Sequence, residues 1–347
     1  MEKQQLEEMI DQVVDRTFAL DYTWDWPAGI AFYGVARAWE ATGRTEYAER
    51  VMEWIDKIEA IGFPPFTVNA VSLGHVLLSL YQLNGEQKYL DLAERMAEYL
   101  THEAARFGDG VLQHTVSQNY NFPEQAWADT LFMAAYFLVR IGKQTDNNQY
   151  FRDGLNQFYW HIEYLQDKKT QLFYHGWDNI NQNNLSAIHW GRANAWAALT
   201  MAETLELLDA FEPMFMELSD ALRDQLAALV RVQDGSGFWH TVVDDPASYL
   251  ETSASCGIAN ALAVYDRVNG FPLYKNNYER AFKQLGCIIT EQGAVAGVSA
   301  GTAVMHCLED YRDVPCKRVQ GWGQGLALSF LAELYKTACK SGEADMI

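Results

Sequence analysis

Apolar residues along this chain recur at the three- and four-residue spacing of an α-helix, and almost every patterned segment follows that spacing. The strict alternation typical of half-buried strands is confined to short stretches near residues 110–116, 172–175 and 238–243. The pattern therefore predicts an all-α protein with only minor strands.

Two kinds of helix alternate along the chain. Helices of the first kind are rich in small and aromatic residues, as expected where a helix is buried on all sides, and most end in a Gly turn. They are predicted at residues 29–43, 74–85, 127–142, 190–208, 252–270 and 321–338. A more charged helix with one apolar stripe follows each of the first five. The sixth charged partner is predicted at residues 2–18, at the other end of the chain.

Six such hairpins predict an (α/α)6 barrel, a six-hairpin toroid, formed as a single domain over residues 1–347. An open solenoid of helical pairs is the competing architecture, but the complementary ends favour a closed ring. Long segments precede five of the inner helices, at 63–70, 106–125, 167–189, 233–251 and 291–320. They would meet at one rim of the barrel, where a functional site is expected.

The formal net charge of −20 argues against binding to nucleic acid or to an anionic membrane surface. An anionic substrate would therefore need a local cation. Five cysteines without a CxxC motif predict reduced thiols and a cytoplasmic location, and no signal peptide or membrane span is predicted. His306, Cys307 and Cys316 do not have the spacing of a standard zinc site, so neither a metal nor a cofactor is expected.

Asp129 is a lone acid in an apolar helical run that is predicted to begin near Pro123. One interpretation is an acid at a helix start, where the helix dipole favours it. The alternative is a proton-transfer residue, because the apolar neighbours Trp127 and Phe132 would raise its pKa toward neutrality. The segment TWDWPAG places Trp26 at the same rim.

The fourth inner helix opens with HWGRANAW, in which Arg192 lies between Trp190 and Trp196. An arginine in this setting would pair with a carboxylate while the tryptophan rings stack on a sugar, or it would simply extend past aromatic packing. His175 in FYHGW and His114 in VLQHTV are either hydrogen-bonding groups for a substrate or structural residues.

Taken together, these stretches resemble the unsaturated glucuronyl and rhamnogalacturonyl hydrolases of glycoside hydrolase families 88 and 105, family 105 more closely. The resemblance covers nearly the whole chain. It rests on WADTLFMA around Asp129, YHGW at 174–177, WGRANAW at 190–196, LETSAS at 250–255, GT at 301–302 and GWGQGLAL at 321–328.

This resemblance implies an (α/α)6 barrel and Asp129 as the general acid and base. Asn69 stands where many members carry a second Asp, and an amide would still hydrogen-bond sugar or water without carrying charge. The expected substrate-binding residues are Trp26, Asn69, His114, Trp127, His175, Trp190, Arg192 and Trp196.

The implied reaction begins with protonation of the C4=C5 double bond that a polysaccharide lyase leaves on a terminal uronate. Hydration at C5, ring opening and release of the next sugar follow. The expected partner is thus a small unsaturated oligosaccharide, with unsaturated galacturonyl-rhamnose as the first choice and glucuronyl substrates as the second. The pattern makes no prediction about oligomeric state.

Two other functions fit an (α/α)6 barrel. One is a sugar isomerase of the acylglucosamine 2-epimerase type, which would use paired histidines on inner helices. Here His75 is the clear inner-helix histidine, and His189 lies at the start of another inner helix. The other is a non-catalytic carbohydrate-binding toroid.

Overall fold

The computed structural model describes residues 3–118, 120–316 and 318–344. Its α-helices are, in chain order, α1 (Lys3–Phe18), α2 (Trp26–Thr42), α3 (Glu46–Ile61), α4 (Gly74–Asn84), α5 (Gln87–Glu98), α6 (Tyr136–Gln144), α7 (Asn148–Leu165), α8 (Gly191–Leu207), α9 (Pro213–Arg231), α10 (Thr252–Asn269), α11 (Lys275–Ile288), α12 (Leu308–Arg312) and α13 (Gly321–Ala344). Shorter elements are a 3₁₀ turn (Ala70–Leu73), two π-helical turns (Tyr99–Glu103 and Leu131–Ala135) and the strands β1 (Arg106–Phe107), β2 (Val111–Leu112), β3 (Gln125–Trp127) and β4 (Gly176–Asp178).

The helices form two concentric rings. In the inner ring, α2, α4, α6, α8, α10 and α13 each contact the next, and α13 contacts α2. In the outer ring, α3, α5, α7, α9 and α11 each pack on the preceding inner helix, while α1 packs on α13. The predicted (α/α)6 barrel is therefore confirmed, and the ends of the chain close it; residue 2 of the predicted first helix lies outside the described residues.

Small residues allow the inner helices to approach closely. All residues of α8 from Gly191 to Leu205 are buried. Where α2 meets α13, a Cβ added at Gly34 would lie 2.1 Å from the carbonyl oxygen of Gly325. Gly325, the last glycine of GWGQG, thus serves the close packing of α13 against α2.

The third inner helix begins later than predicted. The predicted start near Pro123 is wrong, because Gln125–Trp127 forms strand β3, which pairs with β4 in antiparallel register. Helical structure begins only at Asp129, directly before the π-helical turn. The pairing continues as the backbone N–H of Ala128 donates to the carbonyl oxygen of His175 at 3.0 Å. This two-stranded ribbon therefore brings Asp129 close to His175.

The strand predictions were otherwise only partly right. The stretch 110–116 contains β2, whereas 172–175 and 238–243 contribute isolated bridges to residues outside them. Strand β4 begins one residue after the second of these stretches. Turns interrupt the loops too often for longer strands to form.

Candidate active site

A cavity of about 410 Å³ opens where the inner helices begin. Its walls come from the starts of α2, α8 and α13, from the start of the third inner helix, and from the long loops. The lining residues are Trp26, Pro27, Asn69, His114, Val116, Gln118, Tyr120, Phe122, Trp127, Asp129, Met133, Trp190, Arg192, Gly301, Thr302, Ala303 and Trp322.

Asp129 is the carboxylate on this wall. Its Oδ2 atom lies 3.3 Å from Nε2 of His175. The two atoms are in polar contact, but their alignment falls short of a hydrogen bond, and neither atom has a hydrogen-bond partner among the described residues. The carboxylate thus lies beside the imidazole, and its Oδ2 atom remains without a hydrogen bond from the described part of the chain.

The expectation of a raised pKa for Asp129 is wrong. Burial does push the pKa of this carboxyl upward, but the neighbouring His175 lowers it, and electrostatic interactions with His114 and with the Arg192 cation lower it further. The net effect is a pKa below the ordinary value of 3.8. In the absence of ligand, Asp129 is therefore a carboxylate at neutral pH.

His175 lies directly behind Asp129 and does not line the cavity. Its ring is buried, with centroid distances of 4.2 Å to Trp190 and 5.6 Å to Trp127. The other ring nitrogen, Nδ1, lies 2.7 Å from the hydroxyl of Tyr311. Burial lowers the pKa of His175, and Asp129 only partly opposes this. The imidazole is therefore neutral at pH 7.

His114 and Trp127 form a stacked pair on the cavity wall. Their ring centroids are 4.4 Å apart with an interplanar angle of 14°. Nδ1 of His114 lies 3.0 Å from Oγ1 of Thr130, and the indole N–H of Trp127 donates to Gln125 at 3.0 Å. Burial lowers the pKa of His114 to about 4, so this ring is also neutral.

Arg192 supplies the local cation that the net charge of the chain called for. Its Nη1 donates to Oγ of Ser299 at 2.6 Å, and its Nη2 donates to the carbonyl oxygen of Ala300 at 2.9 Å. The guanidinium carbon lies 4.3 Å from the ring centroid of Trp190. Oε1 of Glu251 lies 3.7 Å from Nη1 of Arg192, and both side chains are buried. The cation is thus fixed in place on the cavity wall.

Asn69 and Trp26 lie on other parts of the wall. The side-chain oxygen of Asn69 is buried and has no hydrogen-bond partner among the residues described. The Trp26 ring packs against Trp322, with centroids 4.4 Å apart. These groups give the cavity a polar acceptor and an aromatic pair.

Trp196 departs from the sequence-based expectation. Its ring is fully buried and packs 5.1 Å from the ring of Phe132, and it does not line the cavity. Four residues after Arg192 on the same helix, it lies one turn deeper in the barrel. Trp196 therefore supports the floor beneath the cavity and would not contact a ligand.

Several residues that line the cavity were not predicted from the sequence. Trp322 and Thr302 belong to stretches that carried the family resemblance but were not singled out. Phe122 and Met133 flank Asp129 in sequence, so their proximity was a usable signal. Tyr311, which lies outside the cavity in the long loop before α13, had no motif to mark it.

The histidines considered for an isomerase lie elsewhere. Nε2 of His75 contacts the carbonyl oxygen of Phe132 at 2.8 Å within the core, and Nδ1 of His189 lies 2.7 Å from Asp244. Neither lines the cavity. Within the described residues there is also no group of three or more His, Cys, Asp or Glu side chains placed to hold a metal ion.

A closed six-hairpin barrel with an aromatic cavity, a fixed cation and a carboxylate on the cavity wall fits a glycosidase of the (α/α)6 class. The chain belongs to glycosyl hydrolase family 88, which it matches over residues 1–338.

Known proteins agree with this assignment. The unsaturated rhamnogalacturonyl hydrolase YesR of Bacillus subtilis is 52% identical over 337 residues, covering 97% of this chain and 96% of that protein. Two solved structures, each described as a possible member of the GH105 family, are similar in fold. The Klebsiella pneumoniae structure has a TM-score of 0.92 and 29% identity, covering 97% of this chain and 94% of its own. The Salmonella enterica structure has a TM-score of 0.91 and 28% identity, with coverages of 97% and 95%.

The described helices are not of the kind that span membranes. Across residues 3–118, 120–316 and 318–344, no helix has both the length and the apolar character needed to cross a bilayer.

Proposed function

We propose that this chain hydrolyses unsaturated uronyl oligosaccharides produced by polysaccharide lyases, with unsaturated galacturonyl-rhamnose as the first expected substrate. Similarity to a rhamnogalacturonyl hydrolase over almost the full length supports this choice. Glucuronyl disaccharides are the second expected class of substrate.

The observation that carries the proposal is that, among the described residues that line the cavity, Asp129 is the lone carboxylate. Ordinary glycosidases need two carboxyl groups on opposite sides of the scissile bond, roughly 5–9.5 Å apart. Asn69 on the same wall is an amide and cannot act as a second acid or base. A single carboxyl group suits a reaction in which one residue first donates and then accepts a proton.

Hydration of a C4=C5 double bond is such a reaction. Asp129 donates its proton to C4 and the π electrons form the new C–H bond, which leaves positive charge on C5 shared with the ring oxygen. A water oxygen then bonds to C5 while its proton passes to the Asp129 carboxylate. The hemiketal at C5 opens by breaking its bond to the ring oxygen. The hemiacetal left at C1 then releases the next sugar as an alcohol.

The lowered pKa of Asp129 requires that the substrate helps to protonate it. A uronate carboxylate bound beside Arg192 would offset the positive charge that lowers this pKa, and it would add a negative charge near Asp129. Both changes raise the pKa of Asp129 in the complex. Binding of the substrate would thus be coupled to uptake of the proton that the first step consumes.

Proposed contacts follow from the cavity wall. Arg192 provides charge for the uronate, and Asn69 offers a hydrogen-bond acceptor. The aromatic side chains Trp26, Trp127 and Trp190 give faces on which sugar rings stack. His114 and His175 lie around Asp129 and lower its pKa, so they influence the carboxyl group without lending it a proton.

The test is a panel of lyase-generated unsaturated disaccharides from pectic and glycosaminoglycan sources, incubated with purified protein. Loss of the ultraviolet absorbance of the conjugated double bond measures turnover. We expect the fastest loss with unsaturated galacturonyl-rhamnose. An unchanged absorbance with every member of the panel would overturn the proposal.

We also propose that the protein works in a reducing, cytoplasmic compartment. All five cysteines are free, and four of them are exposed or only partly buried, where an oxidising environment would leave reactive thiols. Thiol titration of protein isolated under alkylating conditions tests this. Five alkylated cysteines are expected, and disulfide-linked forms would contradict it.

A further inference from the structure

Tyr311 lies outside the cavity but contacts the residue behind its carboxylate. It belongs to the short helix α12, within the long loop before α13, and its side chain is fully buried. Its hydroxyl lies 2.7 Å from Nδ1 of His175, a residue 136 positions away in the chain. Outside this contact, α12 is fastened by Arg312, whose guanidinium binds both oxygens of Asp245 at 2.7 and 2.9 Å.

The surroundings favour one direction for this hydrogen bond. The backbone N–H of Met305 donates to the Tyr311 oxygen at 3.2 Å. That donor occupies one lone pair of the oxygen and leaves its own proton to donate to Nδ1 of His175 at 2.7 Å.

The contact on the opposite side of the imidazole, with Asp129, favours the same position of the proton. Nε2 of His175 faces Oδ2 of Asp129 at 3.3 Å. A lone pair on Nε2 would repel the carboxylate, whereas an N–H there attracts it. A neutral imidazole with its proton on Nε2 has a lone pair on Nδ1, which is the acceptor that the Tyr311 hydroxyl needs.

We propose that Tyr311 is a positioning residue that holds His175 in the tautomer with its proton on Nε2, and so keeps an N–H on the side of the ring that faces the Asp129 carboxylate. A hydrogen bond to one ring nitrogen sets the tautomer at the other. The catalytic part of this assignment rests on the proposed function, but the tautomer does not. Without the hydroxyl, only the contact with Asp129 favours a proton on Nε2, and the tautomer with its proton on Nδ1 gains population.

The consequence for turnover lies in the first step. As the Asp129 proton passes to C4, the Asp129 carboxylate forms, and an N–H from His175 stabilises that carboxylate. Losing the hydroxyl should therefore lower kcat more than it changes KM. We expect a decrease of about 10- to 100-fold, the range found when the hydrogen-bond partner that orients a metal-bound histidine is removed.

The experiment is nitrogen-15 NMR of protein labelled at histidine, without substrate. The His175 signals are identified by their absence in His175→Gln, and the two-bond proton–nitrogen pattern reports which nitrogen carries the proton. Wild type should show the proton on Nε2. Tyr311→Phe should shift His175 toward the Nδ1 tautomer and lower kcat. A wild-type signal with the proton on Nδ1 overturns the proposal, and so does a Tyr311→Phe spectrum with an unchanged tautomer.

Arg312→Gln is the matched control, because it loosens the same short helix without touching His175. It should keep the wild-type tautomer and nearly the wild-type kcat. If it shifts the tautomer as strongly as Tyr311→Phe, packing of α12 and not the hydroxyl is responsible, and the proposal fails. The NMR reading needs no turnover, so a chain inactive on every disaccharide would refute the proposed function and leave the tautomer assignment standing.

Discussion

Oε1 of Glu251 lies 3.7 Å from Nη1 of Arg192, and 2% or less of either side chain is exposed. Glu251 also accepts hydrogen bonds from the hydroxyl of Ser253 and from the backbone N–H groups of Ala254 and Ser299. The glutamate therefore joins the start of α10 to the cation on the cavity wall. Glu251 itself does not line the cavity, so a ligand can reach Arg192 without displacing this counterion.

Glu251→Gln should destabilise the protein strongly, because it leaves the buried Arg192 without its counterion. Breaking one side of a buried ion pair costs about 3–5 kcal/mol. Urea unfolding monitored by circular dichroism measures the change. Asp220→Asn removes a carboxylate from the exposed pair with Arg223 and should cost no more than about 1 kcal/mol. Equal effects of the two variants would contradict the buried pairing.

Asp129→Asn should abolish nearly all turnover while the fold is retained. The amide has the same shape but cannot transfer the proton, and a general acid or base contributes about 10²- to 10⁴-fold to rate. Loss of ultraviolet absorbance with the best disaccharide gives the rate, and thermal unfolding checks the fold. Substantial activity in this variant would remove Asp129 from the mechanism.

Asn69→Asp should move the alkaline limit of kcat to higher pH. A second carboxylate on the same cavity wall disfavours ionisation of Asp129, so the proton donor stays protonated to higher pH. Profiles of kcat against pH for wild type and variant measure the shift. Asn69→Ala, which removes the amide without adding charge, should leave the limit in place; a shift there would show that the amide itself sets it.

His161→Gln should reduce the loss of stability in mild acid. Burial lowers the pKa of His161 in the folded protein to about 4, from an ordinary value of 6.5. Below pH 6.5 the unfolded chain binds a proton that the folded chain refuses, so stability falls as pH decreases toward 4. Between pH 7 and pH 5 this one group accounts for about 2 kcal/mol.

The measurement for this prediction is urea unfolding of both proteins at pH 7 and pH 5. The difference between the two pH values should be about 2 kcal/mol smaller in the variant than in wild type. His102→Gln serves as a control, because His102 is about half exposed and water reaches it in both states. The prediction fails if the two variants respond to pH alike.

Gly34→Ala should destabilise the barrel at the contact between α2 and α13. The added methyl group would lie 2.1 Å from backbone of Gly325, which cannot move without separating the helices. Overpacking of this kind costs about 1–3 kcal/mol. Gly286→Ala, where a Cβ would meet no atom within 4 Å, should instead stabilise by about 0.5–1 kcal/mol through helix propensity. Thermal melting of both variants tests the contrast.

The ring of helices was predictable because each inner helix is marked by its own small and aromatic residues. Small residues such as Gly34 and Gly325 reveal close packing whatever their partner, and the charged face of α1 pointed to an outer position. The residues at which helices begin were harder to predict. The stretch before Asp129 contains residues that suit a helix, but pairing with β4, more than forty residues later, makes it a strand.

The electrostatics of the site were not predictable from local sequence. Trp127 and Phe132 suggested an apolar environment that would raise the pKa of Asp129. The groups that lower it, His175 and Arg192, come from distant segments that only the fold brings together. Tyr311 and Glu251 escaped for the same reason, since their significance lies in what they touch and not in the residues beside them.

Closure of the ring has a consequence for how the protein is made. Helix α13 hydrogen-bonds the first helix through Gln324 to the carbonyl oxygen of Val13, and Tyr335 to Glu7, across separations of 311 and 328 residues. During synthesis, the apolar stripe of α1 must therefore wait until almost the whole chain has left the ribosome. A nascent chain stalled before α13 would expose that stripe and the side of α2, and we expect it to be a target for chaperones.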